Sequence, residues 1–238
     1  MTGRLGRSAM VLAAGYGQRM RPLTLTRPKP LIEVAGKALI EHGFDRLRLA
    51  GVETAVVNVH YLPEQIEDWA QRQPAPKIII SDERAELLDT GGGVARALPL
   101  LGEAPFFVIN SDSFWVDDGE PALERLRAAW DDERMDCLLL LSPLDRTVGY
   151  DGSGDFVRGE DGRLTRRAKA QGTPLAYIGG YLVSPRLFEG APSGSFSMNL
   201  LWDRAIAEGR LFGVEHTGRW LHVGTPEAIA QAEDALKA

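Results

Sequence analysis

Short apolar runs alternate with amphipathic segments along most of this chain. The apolar runs predict buried strands at residues 9–14, 54–59, 77–81, 106–110 and 135–141. Between them, apolar residues recur at helical spacing, as at Leu39, Ile40, Phe44 and Leu47. Strand–helix alternation at this spacing predicts an α/β fold with a Rossmann-like, mixed and mostly parallel sheet, covered by helices on both faces.

The pattern changes near Pro143. Residues 143–175 contain many glycines and charges with little periodicity, which predicts loops and short hairpin strands. Regular spacing returns afterwards, with strands expected near 177–183, 211–215 and 220–223 and helices over about 199–208 and from Pro226. Since no linker or internal repeat is visible, we expect a single domain over 1–238 with a loop-rich, insertion-like middle at about 143–175.

Composition narrows the classes of function. The 238 residues include 27 Lys and Arg against 33 Asp and Glu, a net charge of −6 with no basic run, so no nucleic-acid partner is expected. The single cysteine, Cys137, lies in an apolar run and is expected to be a buried hydrophobic residue of a protein in a reducing compartment. No run approaches the roughly 18 apolar residues of a membrane span, and residues 9–14 are short for a secretion signal. We therefore expect a cytoplasmic protein without a membrane partner.

The first predicted strand runs into a glycine-rich turn that carries Gly15 and Gly17. Backbone N–H groups in such a turn, at the carboxyl edge of a sheet, bind phosphate. A Walker loop does not fit the spacing, and a dinucleotide fingerprint needs a third glycine where Met20 stands. Taken alone, the two glycines are more typical of a simple tight turn than of a phosphate site.

Three cations close to this turn favour a phosphate site. Arg19, Arg21 and Lys29 fall within eleven residues in an acidic protein. Prolines on both sides of Lys29 restrict its backbone to extended forms, so its ammonium is expected to project from a stiff segment. The alternative, a solvated lysine in a loop, stays open at this point.

Two later segments are candidates for the same edge of the sheet. Asp112 follows an apolar strand, and a carboxylate placed there suits Mg²⁺ shared with substrate phosphates; the alternative is a helix or turn cap. The glycines of residues 90–93 would let the backbone approach a flat base. The same residues also suit the first turn of a helix with Thr90 as its cap, and both interpretations are compatible.

A family resemblance joins these segments. The stretch Leu12-Ala-Ala-Gly-x-Gly-x-Arg-Met-x-Pro-Leu-Thr, followed by Pro28-Lys-Pro-Leu and Gly36-Lys37, resembles the signature of sugar-1-phosphate nucleotidylyltransferases. Residues 86–93 resemble that family's nucleobase loop, 107–112 its metal-binding aspartate, and 220–225 its Trp-x-Asp-x-Gly-Thr segment. The Thr-Gly-Gly-Gly loop, the Gly154-Asp-Phe segment and the length are most similar to the short bacterial N-acetylmuramate-1-phosphate uridylyltransferases.

The resemblance implies an enzyme of the EC 2.7.7 class that transfers a uridylyl group from UTP to an N-acetylated sugar-1-phosphate, with N-acetylmuramate favoured, and releases pyrophosphate in cell-wall recycling. It implies Mg²⁺ as the cofactor, with Mn²⁺ as a second option, and leaves the oligomeric state open. A guanylyltransferase for mannose- or heptose-1-phosphate is one alternative. The other is a sugar-nucleotide-binding protein without turnover.

The resemblance also assigns roles to residues. Arg19, Lys29 and Asp112 are the catalytic candidates, the first two for phosphate and the third for Mg²⁺. The nucleotide-binding candidates are Leu12, Ala13, Ala14, Gly15, Gly17, Thr90, Gly91 and Gly92. Asn110 and Asp155 are the sugar-binding candidates, and Asp112 with His222 the metal ligands. Since the attacking sugar-phosphate oxygen is already anionic, alignment and charge neutralisation replace a general base.

Two departures from the family pattern stand out. His222 occupies the position of the second metal-binding aspartate. A Glu-Lys-Pro triplet that many relatives use for the sugar phosphate is missing, and Lys169 is the nearest substitute.

The other histidines lack zinc spacing. Trp69, Trp130 and Trp202 are expected in the core, whereas Trp115 either lines the sugar pocket or covers the sheet edge.

Overall fold

A computed structural model describes residues 5–237 of the chain. The helices within this range are α1 Leu39–Leu49, α2 Pro63–Gln71, α3 Asp89–Leu101, α4 Ala122–Ala129, α5 Met198–Ala207 and α6 Pro226–Lys237. The strands are β1 Ser8–Leu12, β2 Glu33–Val34, β3 Lys37–Ala38, β4 Thr54–Val59, β5 Lys77–Asp82, β6 Phe106–Asn110, β7 Ser113–Val116, β8 Cys137–Pro143, β9 Thr147–Val148, β10 Phe156–Arg158, β11 Leu164–Arg166, β12 Pro174–Val183, β13 Leu211–Glu215 and β14 Arg219–His222.

Nine of these strands form the central sheet. Its path is β11-β10-β12-β6-β1-β4-β5, and β8 pairs with β12 and with β13 off that path. Strands β5, β4, β1 and β6 are mutually parallel, while β12 runs antiparallel to β6 and β8. The predicted Rossmann-like mixed α/β sheet is confirmed.

Helices cover both faces of this sheet, as the pattern predicts. On one face, Val11 of β1 belongs to a core with Phe44 of α1 and Trp69 of α2. On the other, Met10 belongs to a core with residues of α3 and α5. Side chains alternate across a strand, so β1 is apolar from Ala9 to Leu12 because its centre is buried on both faces.

The segment after β8 contributes strands to two different sheets and does not form a single insertion. The β10–β11 hairpin extends the central sheet through β12, whereas β9 joins β14 and β7 in a separate three-stranded sheet. The short strands expected in 143–175 are thus present. The strand expected near 220–223 is β14, and β7 was not predicted. The single domain over 1–238 stays a prediction.

The cysteine and most of the tryptophans lie in the core. Cys137 is fully buried, and burial raises the pKa of its thiol well above the ordinary value. Trp69 and Trp202 are buried, whereas Trp130 is half-buried against the core. Trp115 is 1% exposed within the core, which favours structural cover over a pocket role. Among the described residues, no helix combines the length and apolar character needed to cross a bilayer.

Candidate active site

A cleft of about 690 Å³ opens where the carboxyl ends of β1 and β6 meet. The Ser111 hydroxyl donates to the Leu12 carbonyl at 2.6 Å and joins the two strand ends. The cleft is lined by Leu12, Ala13, Ala14, Gly15, Gly17, Gln18, Arg19, Met20, Lys29, Pro30, Asn58, Leu87, Asp89, Thr90, Asn110, Ser111, Asp112, Ser195 and Gly224. Most of the residues that the sequence singles out therefore share one cavity.

The glycine-rich turn after β1 packs directly on the segment that carries Lys29. Gly17 has a φ of 60°, and a Cβ there would lie 2.9 Å from both Lys29 Cβ and Thr24 Cγ2. The Thr24 hydroxyl donates to the Gly17 carbonyl at 2.8 Å. A side chain at position 17 would be strained and would push the lysine segment away, which explains the glycine. The strand expected to reach residue 14 ends at Leu12 because the chain turns here.

Lys29 differs in two respects from the sequence-based expectation. Its backbone is not extended, since Lys29–Leu31 forms a single 3₁₀ turn with Pro30 inside it. The side chain is also not solvated: the residue is 7% exposed, and Nζ donates to Asp112 Oδ2 at 3.0 Å. Proline suits such a turn because its fixed φ is close to the helical value and the turn needs no N–H from it. The lysine is still held on a stiff segment.

Asp112 is the carboxylate that pairs with Lys29 in the cleft. Burial alone would raise its pKa, but the Lys29 ammonium, with its hydrogen bond, and His222 nearby hold that pKa below the ordinary value. Asp112 is therefore ionised at neutral pH, with its charge facing the cleft that it lines.

His222 ends β14, close to this carboxylate. Burial lowers the pKa of its imidazole even though Asp112 acts in the opposite direction, so the ring is neutral at neutral pH. A Cβ on Gly224 would lie 2.8 Å from His222 Nε2 and 3.5 Å from Arg19 Nη1, so both side chains approach Gly224. Gly224 lines the cleft, but His222 is not among the lining residues.

These donors fit a divalent metal only in part. No group of three His, Cys, Asp or Glu side chains within residues 5–237 is arranged to hold an ion. Mg²⁺ commonly binds through one or two protein carboxylates and completes its shell with substrate phosphates and water. The ionised carboxylate of Asp112, which lines the cleft, with the neutral imidazole of His222 nearby, fits that arrangement.

The predicted base loop lies inside the first turn of α3, which begins at Asp89. The N–H groups of Gly91 and Gly92 both donate to the Phe196 carbonyl, at 2.9 and 3.0 Å. The two glycines are buried and do not line the cleft. Thr90 lines the cleft, and its hydroxyl accepts from the Met198 N–H at 2.9 Å instead of capping the helix. The cap interpretation of Thr90 is wrong.

Asp89 is a site residue that the sequence did not reveal. It has a φ of 59°, a left-handed conformation that is unfavourable without a glycine. Its Oδ1 accepts from the Thr90 N–H at 2.5 Å, which offsets part of that strain. The carboxylate lines the cleft beside Thr90, and non-glycine residues in this conformation cluster at functional sites.

A buried polar chain connects the glycine-rich turn to α3. The Ala13 N–H donates to Asn58 Oδ1 at 2.7 Å, and Asn58 Nδ2 donates to Glu83 Oε1 at 2.8 Å. The other oxygen of Glu83 accepts from the Leu88 N–H at 3.1 Å, just before the helix. A Cβ on Gly93 would lie 2.9 Å from Glu83 Oε1, so the third glycine of the loop makes room for this chain. The only signal in the sequence is an asparagine inside an apolar strand.

A smaller side pocket of about 250 Å³ adjoins the main cleft. Asn110 lines both cavities, whereas Asp155 lines only the side pocket and accepts from the Tyr177 N–H at 2.9 Å. The two predicted sugar-binding residues therefore both line the side pocket. Lys169 is exposed and lines neither cavity.

Comparison with known proteins agrees with this geometry. The nucleotidyl transferase family model matches residues 8–150. N-acetylmuramate alpha-1-phosphate uridylyltransferase of Caulobacter vibrioides is 48% identical, over 96% of both chains. The enzyme of the same name from Neisseria meningitidis serogroup B is 36% identical, over 94% of this chain and 96% of its own. This chain belongs to the nucleotidyl transferase family.

The same fold occurs in a solved structure of UDP-glucose pyrophosphorylase complexed with UDP-glucose. The TM-score is 0.80 at 19% sequence identity, and the match covers 98% of this chain and 99% of the other. At that identity the likeness concerns the fold. The predicted family is confirmed, while the roles of the individual site residues stay predictions.

Proposed function

We propose that this protein transfers a uridylyl group from UTP to N-acetylmuramate α-1-phosphate and releases pyrophosphate. The observation that carries the proposal is the Lys29–Asp112 pair, 3.0 Å apart, in a cleft beside the glycine-rich turn. The full-length similarity to two uridylyltransferases supports the choice of substrates. Because UTP is an intracellular metabolite, we place the reaction in the cytoplasm, where it would serve cell-wall recycling.

The reaction is a displacement at the α-phosphorus of UTP. An anionic phosphate oxygen of the sugar phosphate forms a bond to that phosphorus, and the bond to the oxygen bridging the α- and β-phosphates breaks. Since the nucleophile is already ionised, the protein has to align the reactants and neutralise charge. The exposed guanidinium of Arg19 and the ammonium of Lys29 supply cations along the cleft.

The nucleotide would lie along the turn formed by residues 12–17, whose backbone borders the cleft. The polar chain through Asn58 leads from this turn to the start of α3. Thr90 lies at that far end and would contact the base of the nucleotide. Gly91 and Gly92 have a different role in this proposal: they let the segment that carries Phe196 pack against α3 and so shape the pocket wall.

Asp112 and His222 would hold a divalent cation, Mg²⁺ or Mn²⁺. When bound, such an ion supplies further charge neutralisation at the phosphates. Lys29 already neutralises part of the Asp112 carboxylate, and it also holds that carboxylate at the edge of the cleft.

Pyrophosphate release tests the proposal. The purified protein is assayed with each of the four ribonucleoside triphosphates against the 1-phosphates of N-acetylmuramate, N-acetylglucosamine and mannose. We expect release with UTP and N-acetylmuramate 1-phosphate, and formation of the matching UDP-sugar. Release only with GTP and mannose 1-phosphate would replace the proposal with the guanylyl alternative. Nucleotide binding without release in any combination would favour a binding protein.

A further inference from the structure

The side pocket next to the main cleft has an aromatic floor. The ring centroids of Tyr177 and Trp202 are 5.0 Å apart, and those of Tyr181 and Trp202 are 5.6 Å apart. Tyr181 is 1% exposed, and its hydroxyl has no hydrogen-bond partner among residues 5–237. A buried hydroxyl without a partner is costly, which points to a polar ligand that completes it. Tyr177, the least buried of the three rings, offers an aromatic surface against which a pyranose ring can pack.

Arg166 is the only Lys, Arg or His among the described residues that line this pocket. Its Nε donates to Asp203 Oδ1 at 2.7 Å and its Nη2 to Asn199 Oδ1 at 2.9 Å. The guanidinium carbon lies 4.8 Å from the centroid of Phe156. These contacts fix the plane of the guanidinium, while Nη1 makes no hydrogen bond to the described part of the chain.

The ion pair with Asp203 leaves Arg166 able to bind a further anion. The Asp203 side chain is 61% exposed, and an ion pair with an exposed carboxylate contributes little because water competes with it. Arg166 is itself more sheltered, with 22% of its side chain exposed. A guanidinium that is oriented in advance, with free donors on one nitrogen, binds a carboxylate strongly and with defined geometry.

We propose that Arg166 selects sugar phosphates that carry a carboxylate substituent. This inference rests on the proposed function, because N-acetylmuramate differs from N-acetylglucosamine by a lactyl ether that ends in a carboxylate. The pocket connects to the main cleft through Asn110 and Thr90, so a sugar can fill it while its phosphate remains in the main cleft. Arg166 recognises the acidic arm of the substrate and takes no part in the bond changes.

The test compares two substrates that differ only at the end of the lactyl group: N-acetylmuramate 1-phosphate and the same compound with its lactyl carboxylate converted to a neutral amide. We expect the parent protein to prefer the acid by about 30-fold in kcat/KM, as for loss of one charge-assisted hydrogen bond. Arg166→Met should lose most of this preference, because the substitution lowers kcat/KM for the acid and leaves kcat/KM for the amide unchanged. Arg166→Lys, which keeps the charge but not the planar fork, should recover part of it.

Arg163→Met is the matched control. Arg163 also lies on the β10–β11 hairpin, pairs with an exposed aspartate, Asp161, and lies 5.5 Å from the centroid of Phe212, but it lines neither cavity. It should keep the full preference for the acid. Thermal unfolding of each variant separates loss of fold from loss of recognition, since a folding defect lowers turnover of both substrates equally.

Calorimetric binding of the same two compounds makes the inference independent of turnover. If the parent binds the acid better and Arg166→Met abolishes that difference, the inference holds even where UTP supports no turnover, and only the proposed function fails. If turnover is present but Arg166→Met weakens acid and amide equally, the proposed function stands and the inference is overturned. If the parent does not distinguish the two compounds in either assay, the inference is also overturned.

Discussion

Lys29 and Asp112 are 83 residues apart in the chain, yet Lys29 Nζ donates to Asp112 Oδ2 at 3.0 Å. The lysine is buried, so this contact is more than a surface ion pair. It joins the turn after β1 to the loop after β6 at the point where the cleft begins. Removing either partner leaves a poorly hydrated charge, and the site and the local fold are therefore coupled.

This coupling gives the first prediction. Lys29→Ala should reduce kcat/KM by about 100-fold or more, as expected when a cation that faces developing negative charge is lost. It should also lower the free energy of unfolding, by about 1–3 kcal/mol, because Asp112 loses its partner. Steady-state kinetics and urea denaturation measure the two effects. Lys37→Ala is the control, since Lys37 forms a half-exposed pair with Asp45 outside the cleft. Near-normal turnover of Lys29→Ala would remove Lys29 from the mechanism.

The second prediction concerns His222, where this chain departs from its family. Mg²⁺ prefers oxygen ligands, whereas Mn²⁺ tolerates an imidazole better. His222→Asp should therefore raise the ratio of Mg²⁺-supported to Mn²⁺-supported kcat/KM by about tenfold relative to the parent. The measurement is a titration of activity with each metal. If His222→Asp and His222→Ala both reproduce the parent's metal preference, His222 does not contact the metal.

Glu83 provides the third prediction. Its two oxygens accept from Asn58 Nδ2 and from the Leu88 N–H. Glu83→Gln offers one acceptor in place of two, so one buried donor loses its partner at a cost of about 1–3 kcal/mol. We expect a lower free energy of unfolding and a higher KM for the nucleoside triphosphate, because the turn at Ala13 loosens. Glu86→Gln, at an exposed position, should change neither quantity. A Glu83→Gln protein as stable as the parent would contradict this account of the polar chain.

The fourth prediction is a pH dependence of stability. His216 is 2% exposed, its Nε2 lies 3.1 Å from the Val116 carbonyl oxygen, and burial lowers its pKa although Asp117 opposes the shift. Between the lowered pKa of the folded state and the ordinary value of about 6.5, the unfolded chain binds a proton that the folded chain does not. Stability from this residue is thus complete above that pH and falls as the pH drops, by up to about 1.4 kcal/mol per pH unit.

Urea denaturation at pH 7.5 and 5.5 measures this effect. His216→Leu should lose less stability between the two values than the parent does, because it has no group to protonate. Carboxylates contribute equally to both proteins and cancel in the comparison. An identical loss in both proteins would show that His216 does not contribute.

The strands of the central sheet were predictable because each buried strand is a local apolar run in the sequence. Apolar runs such as 54–59 and 106–110 correspond residue for residue to β4 and β6. Strand β7 was missed because it follows Asp112 after a sharp turn and pairs with β14, more than a hundred residues later. Pairing over such a distance leaves no periodic signal in either segment.

The site was predictable in its residue types but less so in its contacts. The signature residues of the turn after β1 converge on one cleft, as expected from a shared sheet edge. The burial of Lys29, the cover that Phe196 places over Gly91, and the link from Asn58 to Glu83 all arise from segments that meet only in the folded chain. The hydrogen-bond partners of a buried polar group are set by tertiary structure, so a single sequence does not specify them.

The choice of uridine nucleotide is measured as the ratio of kcat/KM for UTP to that for GTP, with N-acetylmuramate 1-phosphate as the second substrate. Both nucleotides share the triphosphate that the turn after β1 and Lys29 would bind, so the ratio isolates the base. We expect UTP to be preferred by at least about tenfold, a difference of about 1.4 kcal/mol in the transition state. Equal values, or a preference for GTP, would contradict the assignment as a uridylyltransferase.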